Sequence, residues 1–527
     1  MNNKEFAELK KELSAETGLI LSPDEIVEQI KIFEKGIPFL KLVKPCTIGN
    51  GVKVISVADQ AEYIKIFSSA LDEGRVIKFV PASGAATRMF KKQLSALSRF
   101  ENLDLNEITD LAGKGDDDCK AALEFYNNIH RFAFYDELKK EAKKNGKNID
   151  ELVSDGNISE LIRLVAEHSG LNYANLPKGC ILFHSYADGA RSAFEEHLIE
   201  AMNYSTGKDK VVRVHFTISP EHEVEIKRLF KSLFEKYSHT GWKFDVGFSF
   251  QSPSTDTISV SMDNKPLRDE NGKIVFRPGG HGALLQNLND LEADIISIKN
   301  IDNIVPDHLR SDIYKYKKIL GGHLISLQKK IFEILRLLEN GNADGSLITS
   351  TLNFIKDEFE IDLADKLKGK PLQEKHNYLF NFLNRPIRLC GMVKKENHPG
   401  GSPFWVQRKN GEMTKQIVET AQVDDSDSNQ QRIFDEANYF NPVDLVCGVK
   451  DYKGNHFNLE KFSNPETGLI TPKSKDGKEL KALELPGLWN GGMYFWLTVF
   501  VEVPKITFNP VKEVNDLLKP EHQPLKK

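Results

Sequence analysis

A chain of 527 residues with a formal net charge of −5, 40% hydrophobic and 28% charged residues, has the composition of an ordinary globular protein and length for roughly two to four domains. It lacks the basic surplus of a nucleic-acid binder, and no apolar run approaches the ~20 residues of a membrane helix, so neither nucleic-acid nor membrane partners are expected. Five scattered cysteines (Cys46, Cys119, Cys180, Cys390, Cys447) form no CxxC pair, and the N-terminus is charged and amphipathic without an apolar signal core. Reduced thiols and a cytoplasmic location are the expectation.

Residues 1–70 read as a helical region. In "SPDEIVEQIKIFEKG", Ser22 is an N-cap, Glu25 completes a capping box and Gly36 is a stop. "VKVIS" reads as a short strand and "DQAEYIKIFSSALDEG" as another amphipathic helix. "RVIKFV" (75–80) is a buried strand leading through "PASGAATRM" into a helix. Residues 95–175 are polar and helical in period. Strand-like runs ("CILFHS", "VVRVHFTIS", "FDVGFSFQ", "TISVSM", "IVFRP", "ADIISIKNID") then alternate with helical ones ("SAFEEHLIEAMNYS", "PEHEVEIKRLFKSLFEKYS", "GALLQNLNDLE"). Such alternation predicts an α/β sheet covered on both faces. Residues 307–385 are helical again. Strand character returns with "IRLCGMV", "PFWVQ", "KQIVETAQV" and the aromatic "GLWNGGMYFWLTVFVEVP".

Four places could carry chemistry. The turn with Ser83, Gly84, Ala85, Ala86 and Thr87 is built of small residues between a strand and a helix, so its backbone can approach an anion, and Arg88 adds a cationic fork. A plain strand-to-helix connection packed with alanines reads equally well. Lys178, in "LPKG", precedes a loop and could serve a phosphate; a solvated surface lysine is the alternative. Gly279, Gly280, His281 and Gly282 form a glycine-rich turn that can lie flat against a base, or a plain loop. Asp302, in "NIDN", ends a central strand in this reading; it can hold Mg²⁺ among phosphates or close an Asp–Asn turn.

Taken in this order, the motifs resemble the UDP-sugar pyrophosphorylases, especially the UDP-N-acetylhexosamine pyrophosphorylase branch. That family runs from a Gly-Thr-Arg turn and Pro-Lys-Gly, here "SGAATRM" and "PKG", to a uridine-contacting glutamine, here Gln251. A Pro-x-Gly-(Asn/His)-Gly turn follows, here "RPGGHG", and then a Val-Asp-Asn strand end, here "NIDN". "IVETAQV", "FDEANYFN" and "EVPKITFNPVK" continue the match through Glu419, Asn438, Asn441 and Lys512.

The resemblance implies an α/β, Rossmann-like nucleotide-diphospho-sugar transferase fold with a mixed central sheet. It implies a helical region over 1–70 and a catalytic domain over 71–450, with helical insertions at about 95–175 and 307–385. A β-rich segment over 451–527 carries Lys512. It also implies a diverged bacterial branch and a Mg²⁺-dependent nucleotidyltransferase that condenses UTP, or another nucleoside triphosphate, with a sugar-1-phosphate. Arg88, Lys178 and Lys512 would be the catalytic cations, and Asp302, with Asn441, the metal ligands. Residues 83–87, Gln251 and 279–282 would bind the nucleotide; Glu419, Asn438 and Asn441 would bind the sugar. Ser83 and Ala86 depart from the family's glycines, and the chain between Arg88 and Lys178 is much longer than the family's. A glycosyltransferase on a related fold and a nucleotide-sugar-binding regulator without catalysis are the alternatives, though "NIDN" lacks the former's Asp-x-Asp pair. The sugar, the oligomeric state and the role of the insertions are not settled by the sequence.

Overall fold

The computed structural model describes residues 3–525 except 17, 85, 100–104, 341–343, 397–399, 441–443 and 476–477. The chain is a mixed α/β protein of two compact units. One comprises Met1–Ser68, Gln251–Ser297 and Ile319–Lys505; the other comprises Ser69–Phe250, Ile298–Lys318 and Ile506–Lys527.

In the first unit the capping box appears as the sequence predicts. Ser22 caps the helix Pro23–Lys35, Glu25 returns the bond, and Gly36 ends the helix at φ 76°. Ile26, Val27, Ile30 and Phe33 form its buried face, packed in one cluster with Leu13, Ile258 and Leu483. The helical N-terminal stretch also carries the strands Lys41–Pro45 and Gly51–Lys53. Pairing with distant strands holds them: Lys41–Pro45 runs antiparallel to Ser402–Gln407, and Gly51–Lys53 parallel to Leu497–Glu502. This unit's sheet is mixed. Ile387–Met392 lies parallel to Leu497–Glu502 on one side and antiparallel to Asp444–Gly448 on the other. Every residue of Ile387–Met392 is buried, as expected of a strand covered on both faces. The helices Gly345–Phe359 and Leu372–Leu383 fall where the second helical insertion was expected.

The second unit is built on three parallel strands, Val76–Pro81, Val211–Thr217 and Lys243–Ser249, in that order. The helix Ala193–Tyr204 precedes the second strand and Glu223–Tyr237 links it to the third. Parallel neighbours require such crossovers, because a tight turn cannot reverse the chain twice. The expected helical segment is present as a series of short helices between Lys91–Arg99 and Ile158–Ala166. Its apolar faces (Phe125, Phe134, Leu138, Ile158, Leu161) join Phe194, Phe216 and Phe230 in one core. Among the described residues no helix is long and apolar enough to cross a membrane.

Candidate functional site

Four of the sequence's candidates, the 83–88 turn, Lys178, Asp302 and Lys512, lie in the second unit. The turn leaves the C-terminal end of the strand Val76–Pro81. It does not open directly into an α-helix. Ala86–Arg88 forms a single 3₁₀ turn, and the helix begins at Lys91. The reason is its stitching to residues 174–178: the Ala86 amide donates to Leu176 O at 3.0 Å and the Thr87 hydroxyl to Ala174 O at 2.8 Å. Ser219 Oγ donates to Ser83 O at 2.7 Å. No described residue of the turn has positive φ, so serine and alanine replace glycine at 83 and 86 without backbone strain. A Cβ at Gly84 would meet nothing within 4 Å among the described residues. Ala85 and Asn441 lie outside the described residues.

Lys178 follows Pro177 at the start of a 3₁₀ turn. Gly179 is needed for packing, because a Cβ would sit 2.4 Å from the Phe194 ring. That close approach fixes the backbone from which Lys178 projects. Its Nζ donates to Asp302 Oδ2 at 3.2 Å and to Val511 O at 2.9 Å. Lys512 Nζ donates to the same Asp302 oxygen at 3.1 Å. The side chains of Lys178 and Asp302 are only 14% and 10% exposed, whereas that of Lys512 is 61% exposed. Asp302 lies in the turn after the strand Ile295–Ile298 rather than at its last residue. The C-terminal segment is fastened against it: Val511 N donates to Asp302 O at 3.0 Å, Asn509 N to Asn303 Oδ1 at 2.9 Å, and Val514 N to Met89 O at 2.9 Å.

The electrostatics follow from this crowding. Burial pushes the Asp302 carboxyl up, but the Lys512 and Lys178 ammoniums outweigh it and hold the pKa below the usual carboxylate value. Burial lowers the Lys178 pKa against the pull of Asp302, helped by the nearby charges of Lys512 and Arg88. Arg88 is exposed and has no ion pair among the described residues. Asp302 Oδ1 is buried and has no hydrogen-bond partner among the described residues.

That orphan oxygen tests the expected Mg²⁺. No group of three or more His, Cys, Asp or Glu able to hold a metal occurs among the described residues. Mg²⁺ does not need such a cage, since it takes one or two carboxylates and fills its remaining positions with phosphate oxygens and water. A single carboxylate with one free oxygen, ringed by cations suited to phosphate, fits that habit.

A second group of charges, missed in the sequence reading, supports this site from within. Lys78 and Lys299 both donate to Glu200, at 2.9 and 2.7 Å, and all three side chains are 0% exposed. Lys78 Nζ also donates to His197 O, and His197 Nε2 lies 3.0 Å from Ile301 O, one residue before Asp302. The cluster therefore ties the strand that ends in the 83–88 turn to the segment carrying Asp302. The signal was available: a lysine within each of the apolar runs "RVIKFV" and "ISIKNID" must find a buried partner.

The remaining candidates belong to the first unit. Gly280 has φ +72°, and Cβ atoms at Gly279 and Gly282 would sit 2.4 Å from Thr255 O and 2.5 Å from Leu485 Cβ, so this turn requires glycine. His281 lies in the 3₁₀ turn Gly280–Ala283. Gln251 follows the last strand of the second unit. Burial raises the Glu419 pKa, against a hydrogen bond from the Gly401 amide. Asn438 is exposed, and its carbonyl accepts from Lys395 N at 2.8 Å.

A family model described as "Domain of unknown function (DUF4301)" matches residues 10–523. No curated protein matches the chain significantly. Among solved structures, it is similar to the uridine diphosphate N-acetylglucosamine pyrophosphorylase of Trypanosoma brucei crystallised with an inhibitor: 13% identity, TM-score 0.49, covering 98% of this chain and 79% of that one. It is also similar to a mutant UDP-glucose pyrophosphorylase of Leishmania major: 12% identity, TM-score 0.43, covering 97% of this chain and 78% of that one.

Proposed function

The chain belongs to the DUF4301 family, and from that premise we propose that it is a nucleotidyltransferase condensing a nucleoside triphosphate, UTP first among them, with a sugar-1-phosphate. One observation carries this reading. Two ammoniums, Lys178 and Lys512, converge on one oxygen of Asp302 whose other oxygen is buried without a partner among the described residues. A lone salt bridge needs neither the second lysine nor the orphan oxygen; a polyphosphate site uses both.

In the reaction the sugar-phosphate oxygen forms a bond to the α-phosphorus as the α–β bridging oxygen departs with pyrophosphate. The nucleophile is already an anion, so no general base is required, and the protein's task is alignment and charge neutralisation. Lys512, largely exposed, turns its ammonium from Asp302 to the phosphate under attack. Lys178 spends two of its three N–H groups on Asp302 and Val511 and directs the third to the nucleotide. Arg88 places a planar fork on the departing β- and γ-phosphates. Asp302 would hold Mg²⁺, which would supply Lewis acidity and a template for phosphate oxygens. Residues 279–282 and Gln251 are proposed to read the base, and Glu419 and Asn438 the sugar hydroxyls.

The test is pyrophosphate release from four nucleoside triphosphates crossed with common sugar-1-phosphates, with and without Mg²⁺. Release from at least one pair is expected, and none across the panel would overturn the proposal. A second reading, a nucleotide-sugar-binding regulator without catalysis, is favoured by the Ala86 amide, which is spent on Leu176 O and does not face a phosphate. UTP binding without turnover on any sugar would select it.

A further inference from the structure

A separate cavity of about 670 Å³ lies wholly within the first unit, independent of the phosphate site. Its walls come from the hairpin of Ser402–Gln407 and Met413–Val418 and from the helical segment 359–385, part of the insertion to which the sequence assigned no role. The volume is that of a small-molecule pocket.

The polar groups around it are unusual. Lys415 Nζ, Arg408 Nε and Trp496 Nε1 are buried and have no hydrogen-bond partner among the described residues. All three are donors. Arg385, half-buried, gives its Nε to Asn381 O at 3.1 Å and has no ion pair among the described residues. Burial first, and then the neighbouring Arg408 guanidinium, lower its pKa. The carboxylate of Glu412 is already taken, accepting from Lys366, from Arg408 Nη1 at 3.3 Å and from the Tyr378 hydroxyl at 3.3 Å, and makes no ion pair with Arg385 or Lys415 among the described residues. A buried donor left unmade is destabilising, so several around one cavity signal an acceptor-rich ligand. Aromatic side chains, among them Tyr378, Trp405 and Phe382, share the lining with aliphatic residues and with the carboxylates of Glu360, Asp362 and Glu412.

We infer that this cavity binds a phosphate monoester carried on a flat ring, with the dianion held by Arg385, Arg408 and Lys415 and the ring against the aromatic side chains. Three carboxylates also line the cavity, but each is engaged: Glu360 by the Gly51 amide, Asp362 by Lys356, and Glu412 by Lys366 and Arg408. A phosphate therefore meets Arg385 and Lys415, which have no ion pair among the described residues, together with the free Nε of Arg408, and aromatic faces accept a planar body.

The probe is 4-nitrophenyl phosphate, titrated into the full chain by calorimetry and by quenching of indole fluorescence. Trp405 and Trp496, two of the four tryptophans, line the cavity, so a nitrophenyl group bound there quenches them. Saturable binding is expected, with 4-nitrophenol and inorganic phosphate each binding at least tenfold more weakly. Arg385→Ala, at a half-buried position, is expected to weaken binding about tenfold or more, equivalent to ~1.4 kcal/mol. Lys512→Met, in the other site, is expected to leave it unchanged. Absence of saturable binding to the unmodified protein, equal binding by 4-nitrophenol, or an unaltered Arg385→Ala variant would each overturn the inference.

Discussion

Asp302→Ala probes the proposed phosphate site most directly. Among the described residues, the change removes the only carboxylate that pairs with the ammoniums of Lys178 and Lys512. Lys512 is 61% exposed, and its ammonium returns to water at little cost. Lys178, 14% exposed, is left with Val511 O as its remaining partner and an uncompensated charge. Breaking one side of a buried pair costs about 3–5 kcal/mol. Lys178 can escape part of this by losing its proton, which its lowered pKa favours, so the low end, about 3 kcal/mol, is expected. Urea unfolding at neutral pH measures it. The sign with pH follows from the depressed carboxyl: its contribution is present above the ordinary carboxylate pKa and is lost as pH falls through the folded value. The gap between wild type and variant must therefore close in acid. The double variant Asp302→Ala, Lys178→Met removes the stranded charge and should recover most of the stability, yet none of the Mg²⁺-dependent pyrophosphate release. A double variant as unstable as the single one, or a single variant with normal turnover, would refute the reasoning.

The other expectations are more compact. Lys512→Met should lower kcat by roughly 10²–10³ in pyrophosphate release, while changing the urea midpoint little, because the side chain is mostly solvated. Gly84→Ala should leave the melting temperature unchanged, since its Cβ meets nothing, but raise KM for the triphosphate if the turn cradles phosphate. Gly179→Ala should destabilise by about 1–3 kcal/mol, because its Cβ overlaps the Phe194 ring; an unaltered melt would contradict that packing. Burial lowers the Lys78 pKa to about 7 from an unfolded value near 10.5. Between those two values the unfolded chain binds more protons, so stability should rise with pH across that window. Lys78→Met should flatten the rise, as read by denaturant midpoints at several pH values.

Much of the local architecture could be read without coordinates. The Ser22 capping box, the buried strand before the 83–88 turn and the strand–helix alternation depend on spacings of two to four residues, which composition and periodicity report directly. The order of motifs along the chain is also a property of sequence. The failures occur where distant chain segments meet. The turn at 83–88 looked like a helix N-terminus until residues 174–178 took its donors. The strand Lys41–Pro45 exists because Ser402–Gln407 pairs with it.

The candidate site divides in the same way. The residue types that suit phosphate are legible one by one, and the sequence by itself determined that Arg88, Lys178, Asp302 and Lys512 were available. Their convergence was not legible. Asp302 meets Lys178 and Lys512 across 124 and 210 residues of chain, and the Lys78–Glu200–Lys299 cluster beneath them joins three separate segments. Local propensity acts over a few residues, whereas an ion pair depends on distance in space. Only the packed tertiary structure could place one carboxylate between two lysines and leave its second oxygen without a partner among the described residues.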